Sequence, residues 1–124
     1  MIFAKGHFDV ILTGQEDLDA PAGRMLIEKT YHEDMEGTGT GQMISKRTEK
    51  GASVYFAIEE FTGLINGKLG GLTFVHKGVM GSGGETLEID VLDGSASGEI
   101  KSLTGRLDIN VEEGRHFYEL KYTL

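Results

Sequence analysis

Asn66-Gly67 is the step that most constrains what this chain can fold into. It joins two long runs rich in β-branched and aromatic residues within VYFAIEEFTGLINGKLGGLTFVHKGVM (54–80). Both residues tolerate the positive φ of a type I′ turn, so the stretch predicts a two-residue hairpin. With Ile65 opposite Lys68, counting outward sets Phe61 opposite Leu72, Glu59 opposite Phe74 and Ala57 opposite His76. The period-two alternation of a strand then puts Tyr55, Glu59 and His76 on one face beside Phe61, Leu72 and Phe74. An acid and an imidazole among aromatics make this face the strongest candidate for a site.

The rest of the chain alternates in the same way. Ala4 to Thr13 sets Gly6, Phe8, Val10 and Leu12 on one face, and residues 14–22, with glycine, proline and acids, read as a loop. In Arg24 to His32, Met25, Ile27, Lys29 and Tyr31 alternate with Arg24, Leu26, Glu28 and Thr30, which predicts two partly covered faces. Met35 to Ile44 carries Gly37, Gly39 and Gly41 at period two, a strip without side chains. Either large side chains of facing strands fill that strip, as in the tapering interior of a barrel, or it lines a ligand cavity. After a loop at 47–53 and the central hairpin, 81–85 turns into Thr86 to Leu92, with Leu87, Ile89 and Val91 inward. A loop at 93–98 precedes Leu103 to Val111, with Leu103, Leu107, Ile109 and Val111 inward. Residues 112–114 turn the chain into His116 to Leu124, where Tyr118, Leu120, Tyr122 and Leu124 share a face. About eight strands with short turns and no sustained helical period predict an all-β, antiparallel β-barrel, with a flattened β-sandwich as the alternative.

With 124 residues the chain suits a single β-barrel domain over 1–124, large enough to fold without staples. Cysteine is absent, which removes disulfides, thiolate metal sites and cysteine nucleophiles from consideration. The opening MIFAKGHFDVILTG lacks the basic and apolar regions of a secretion signal, so a cytoplasmic protein is expected. No apolar run approaches the roughly 20 residues of a spanning helix, so a membrane protein is not expected. The formal charge of −8, from 20 acidic and 12 basic residues, opposes nucleic-acid binding. The Lys46, Arg47 and Lys50 patch reads as a solvated turn.

The runs GRMLIEKTYHEDMEGTGTGQM (23–43), YFAIEEFTGLINGKLGGLTFVHKGVM (55–80) and SGEIKSLTGRLDINVEEGRHFYELKYTL (97–124) together resemble a family of small single-domain bacterial proteins. That family is catalogued as a domain of unknown function, and its fold is similar to the allene oxide cyclase barrel. The resemblance implies an allene oxide cyclase-like barrel. It implies no catalytic residues, because the family has no agreed motif and a shared fold does not license a shared activity.

The sequence offers few chemistries. Gly81-Ser82-Gly83-Gly84 opens a strand and lacks the Lys-Ser/Thr of a phosphate loop, so it reads as a hairpin turn. The four histidines, His7, His32, His76 and His116, match no zinc spacing, and neither metal nor cofactor is expected. No serine lies in a G-x-S-x-G elbow. Two readings remain. One is a barrel that binds a small apolar or amphipathic molecule in its interior, lined by Tyr55, Phe61, Phe74, Tyr118, Gly37, Gly39 and Gly41. The other is an enzyme in which Glu59 and His76 act as acid and base. That enzyme would carry out a cyclase- or isomerase-like proton transfer, or an acid-assisted hydrolysis of aspartic-peptidase type directed at a peptide or at its own backbone. The expected partners are a small molecule and, as an open option, further copies of the chain in a homo-oligomer.

Overall fold

A computed structural model describes residues 1–16 and 19–124, so part of the loop expected at 14–22 lies outside the described residues. Strands take up 75% of the residues and helix 2%, in a closed antiparallel barrel. The order is β1 (Ile2–Gln15), β2 (Gly23–Glu33), β3 (Met35–Arg47), β4 (Ser53–Ile65), β5 (Lys68–Gly81), β6 (Gly84–Val91), a 3₁₀ turn at Gly98–Ile100, β7 (Thr104–Glu112) and β8 (Arg115–Thr123). Every strand pairs with its chain neighbours, and β1 closes on β8. Closure removes the free sheet edges that an open sandwich would expose.

The central hairpin has the register counted from the sequence. Ile65 faces Lys68, Phe61 faces Leu72, Glu59 faces Phe74 and Ala57 faces His76. Asn66 (φ 48°) and Gly67 (φ 81°) supply the two positive φ values of the turn. The Asn66 amide also donates to the Tyr122 hydroxyl at 2.7 Å and to the Phe3 carbonyl at 3.2 Å, tying this turn to both ends of the chain.

Alternation fills the interior with Phe8, Tyr31, Phe61, Phe74, Ile89, Leu107 and Leu120, all buried. One end is plugged. The connection 92–103 folds back under the barrel and buries Ala96, Ile100 and Leu103. It also covers the stretch of β5 that β6 leaves bare. Leu92 N–H donates to the Thr73 carbonyl at 2.9 Å and Ser97 N–H to the Gly71 carbonyl at 2.9 Å, while Leu69 N–H donates to the Glu99 carboxylate at 2.9 Å. The approach is close enough that a Cβ on Gly70 would lie 2.2 Å from the Ser97 carbonyl oxygen.

The other end is open. Among the described residues, the β3–β4, β5–β6 and β7–β8 connections here are short turns, and the inward side chains (Val10, Leu12, Met25, Met43, Tyr55 and Leu87) are half-buried or exposed. The barrel also has a weak seam. β6 and β7 share a single register pair, Asp90 with Arg106, whereas β5 and β6 stay paired from Phe74 with Val91 to Gly81 with Gly84.

Three sequence expectations are corrected. Leu124 lies beyond β8 and is exposed, because the chain end has no neighbour to cover it. Val111 points inward by alternation but is exposed at the open end. Leu103 is buried in the plug and precedes β7, so it is not a strand residue.

Candidate functional site

Among the described residues, Glu59 is the one buried acidic side chain, and three donors converge on it. The Lys29 ammonium donates to Oε1 at 2.9 Å, and the Tyr31 hydroxyl donates to Oε2 at 2.5 Å. His76 Nε2 lies 2.8 Å from Oε1. All four side chains are buried. The Lys29 ammonium also sits 4.6 Å from the centre of the Phe8 ring, which packs against the Tyr31 and His116 rings at 5.6 and 5.2 Å. Tyr31 packs edge-on against Phe61 and Tyr118, with centroids 5.3 and 5.5 Å away.

Backbone register explains how strands that do not pair can share this site. β2 and β4 flank β3, where Gly39 has Lys29 on one side and Phe61 on the other, and Gly41 has Ile27 and Glu59. Glu59 leans across Gly39 toward β2. A Cβ on Gly39 would fall 2.1 Å from Glu59 Oε2 and 3.1 Å from the Tyr31 ring. Gly37 and Gly41 are filled differently, since Cβ atoms there would strike the Thr62 and Ile58 carbonyls at 2.2 and 2.6 Å. The space above Gly39 is therefore occupied by the Glu59 carboxylate, while close backbone lies over Gly37 and Gly41.

Electrostatics follow from this geometry. Burial alone would push the Glu59 carboxyl up. The His76 hydrogen bond, the Lys29 charge and the Tyr31 hydroxyl more than offset it and bring the value from 4.5 to about 2. Glu59 is thus ionised at neutral pH and only accepts, so the hydrogen between it and His76 lies on Nε2. Burial, and then the Glu59 charge, hold the Tyr31 phenol well above its ordinary 10. It remains a donor.

The other predicted site residues are dispersed. Phe61 and Phe74 lie in the core. Tyr118 sits nearer the plugged end, where its hydroxyl donates to the His32 carbonyl at 2.7 Å and accepts from Met35 N–H at 2.8 Å. Burial raises its pKa to about 12, partly countered by the Met35 hydrogen bond. Tyr55 lies toward the open end, its ring over Gly78, where a Cβ would be 2.1 Å from Cε1. Burial and then Glu85 raise its pKa. His7 and His32 stack on the outer face at 4.7 Å, and their ring nitrogens lie 3.1 and 2.9 Å from the Glu33 and Asp9 carboxylates. Among the described residues no group of three or more His, Asp or Glu side chains is placed to hold a metal ion.

A family model described as "Protein of unknown function (DUF3224)" matches residues 4–122. The chain belongs to the DUF3224 family. A crystal structure of a DUF3224 protein with unknown function from Shewanella oneidensis MR-1 is 33% identical, covering 100% of this chain and 98% of that one, with a TM-score of 0.94. No curated protein matches. Among the described residues of this DUF3224 chain, no helix is long and apolar enough to cross a membrane.

Lys29 and Tyr31 are the site residues that sequence reasoning passed over. The available signal was a lysine in the inward set of an apolar strand, which needs a buried partner because an isolated interior charge is prohibitively costly.

Proposed function

We propose that the barrel takes up a small, mostly apolar molecule through its open end, with its polar end turned toward Lys29 and His76. The observation that carries this reading is the buried Glu59, Lys29, His76 and Tyr31 cluster beneath half-exposed apolar side chains. An apolar core of the same volume would be as stable as a buried ion pair or more so, so an interior cluster of this kind is better explained by a ligand than by stability. Glu59 is saturated by its donors, which leaves Lys29 and the His76 Nδ1 to meet a guest. Native mass spectrometry of protein purified without organic solvent is expected to show a stoichiometric adduct. A series of alkyl alcohols and alkyl carboxylates should then bind saturably, read by tyrosine fluorescence, with Tyr55→Ala weakening the affinity several-fold. A bare mass together with no saturable binding across the series would overturn the reading.

The 2.8 Å Glu59–His76 contact favours a second reading. An ionised carboxylate that fixes the imidazole with its proton on Nε2 leaves Nδ1 to take up and return a substrate proton, as a cyclase or isomerase requires. The low Glu59 pKa weighs against acid-assisted hydrolysis, because at neutral pH that carboxyl has no proton to give. Intact-mass measurement after long incubation should find the backbone whole. A nick would restore the hydrolytic version.

A further inference from the structure

Among the described residues Lys29 is the one buried lysine, its side chain 5% exposed. Its ammonium lies 2.9 Å from Glu59 Oε1 and 3.5 Å from the Tyr31 hydroxyl. A primary amine held among apolar side chains beside a carboxylate is the arrangement that makes lysine a nucleophile toward carbonyl carbon. The barrel wall also dips toward it. Among the described residues β1 and β8 stay paired only as far as Phe8 with His116, whereas β1 and β2 run on to Gln15 with Arg24, so residues 9–15 of β1 stand above the end of β8. A concavity of about 350 Å³ occupies this dip, with Phe8, Val10, Arg115 and His116 in its lining. The Phe8 ring links the concavity to the polar cluster, touching the His116 ring at 5.2 Å and the Lys29 ammonium at 4.6 Å.

We infer that Lys29 condenses reversibly with an aldehyde or ketone that carries an apolar tail, forming a protonated imine with Glu59 as its counter-ion. This rests on the uptake proposed above and names the polar end that the barrel receives, a carbonyl, with a turn of the Phe8 ring opening Lys29 to the concavity. Glu59 acts as the base. It takes a proton from Lys29 along the 2.9 Å hydrogen bond, the freed nitrogen lone pair attacks the carbonyl carbon, and the resulting alkoxide takes that proton back from Glu59. The carbinolamine nitrogen then gives a second proton to Glu59, which passes it to the hydroxyl. The C–O bond breaks as the C=N bond forms, and the carbonyl oxygen leaves as water. Nitrogen goes from three protons to one, the other two leave in the water, and no oxidant or reductant is consumed. Glu59 returns only protons it has first taken from Lys29, so its ionised resting state suffices. Charge is conserved as well. Ammonium and protonated imine each carry one positive charge, so neither state leaves the buried carboxylate unpaired.

Trapping with cyanoborohydride tests the inference on the full chain. With hexanal as the probe, intact mass should show one dominant secondary-amine adduct. Peptide mapping should place it on Lys29, formed at least about tenfold faster than at the exposed Lys68. Glyceraldehyde, which has no apolar tail, should lack that preference. Hexanol, which has the tail but no carbonyl, should slow labelling of Lys29 and leave that of Lys68 unchanged. Lys29→Arg keeps a cation beside Glu59 and should lose the preferred adduct, labelling falling to the level of the exposed lysines. The protection experiment uses the wild-type chain, so the test does not depend on that variant folding. Labelling spread evenly over the exposed lysines overturns the inference, as does labelling of Lys29 that hexanol does not slow. Saturable hexanol binding with Lys29 unlabelled overturns the imine and leaves the uptake reading standing, whereas the absence of both removes both.

Discussion

At the plugged end Ile65, Ile100, Leu103 and Leu107 are fully buried or nearly so, whereas at the open end Leu12 and Val111, inward by the same alternation, are 52% and 57% exposed. Alternation decides which way a side chain points. Burial depends on whether chain lies across the barrel mouth, and only the 92–103 connection does so among the described residues. At the open end the turns at 48–52, 82–83 and 113–114 are too short to cap anything. The two ends therefore divide the work of the barrel, stability residing below the Glu59 layer and accessibility above it.

The largest expected effect is at the layer between the ends. Glu59→Gln leaves the Lys29 ammonium buried without its counter-charge, and is expected to cost about 3–5 kcal/mol in urea unfolding. The double change Lys29→Met with Glu59→Leu should recover most of that loss, because an apolar pair needs no compensation. The same carboxylate sets a pH dependence. Its folded pKa of about 2 lies below the ordinary 4.5, so its stabilisation is complete above pH 4.5 and disappears as the pH falls toward 2. Thermal melts of the wild type should lose stability across that window, and those of Glu59→Gln should lose less.

Next comes a direct contrast of the ends. Ile100→Ala opens a cavity in the plug and should cost about 2–5 kcal/mol, whereas Leu12→Ala at the open end should cost less than about 1. Equal costs in chemical denaturation would erase the distinction. The turn at the plugged end gives a smaller effect than Ile100→Ala. A Cβ at Gly67 meets nothing within 4 Å, so Gly67→Val is destabilising through its φ of 81° alone, by about 1–2 kcal/mol. A melting temperature equal to that of the wild type would contradict this.

The hairpin register was legible because an Asn-Gly turn and a period of two leave no freedom once one pair is placed. That is enough to bring Glu59 and His76 to the same side. The partnership with Lys29 and Tyr31 was not legible, since β2 and β4 never pair. It runs through the space above Gly39, and Gly39 reads in the sequence only as one glycine of three. The plug was hidden for another reason. Residues 93–98, DGSASG, have a loop's composition. Its buried residues Ala96, Ile100 and Leu103 nevertheless recur at a spacing of four and then three, the one-sided signature of a helical turn. The exposure of Leu124 follows from its position at the chain end, which alternation does not register.

The single register pair between β6 and β7 makes the barrel mechanically uneven. Local opening costs least where the fewest cross-strand hydrogen bonds must break, so thermal fluctuations concentrate at this line. There the β7–β8 hairpin can swing on its attachment to β1 while the sheet from β1 to β6 stays intact. Amide protons of β6 and of the outer half of β7 are therefore expected to exchange well before those of β3 and β4. Exchange that begins at this line would mark it as the place where the barrel first parts.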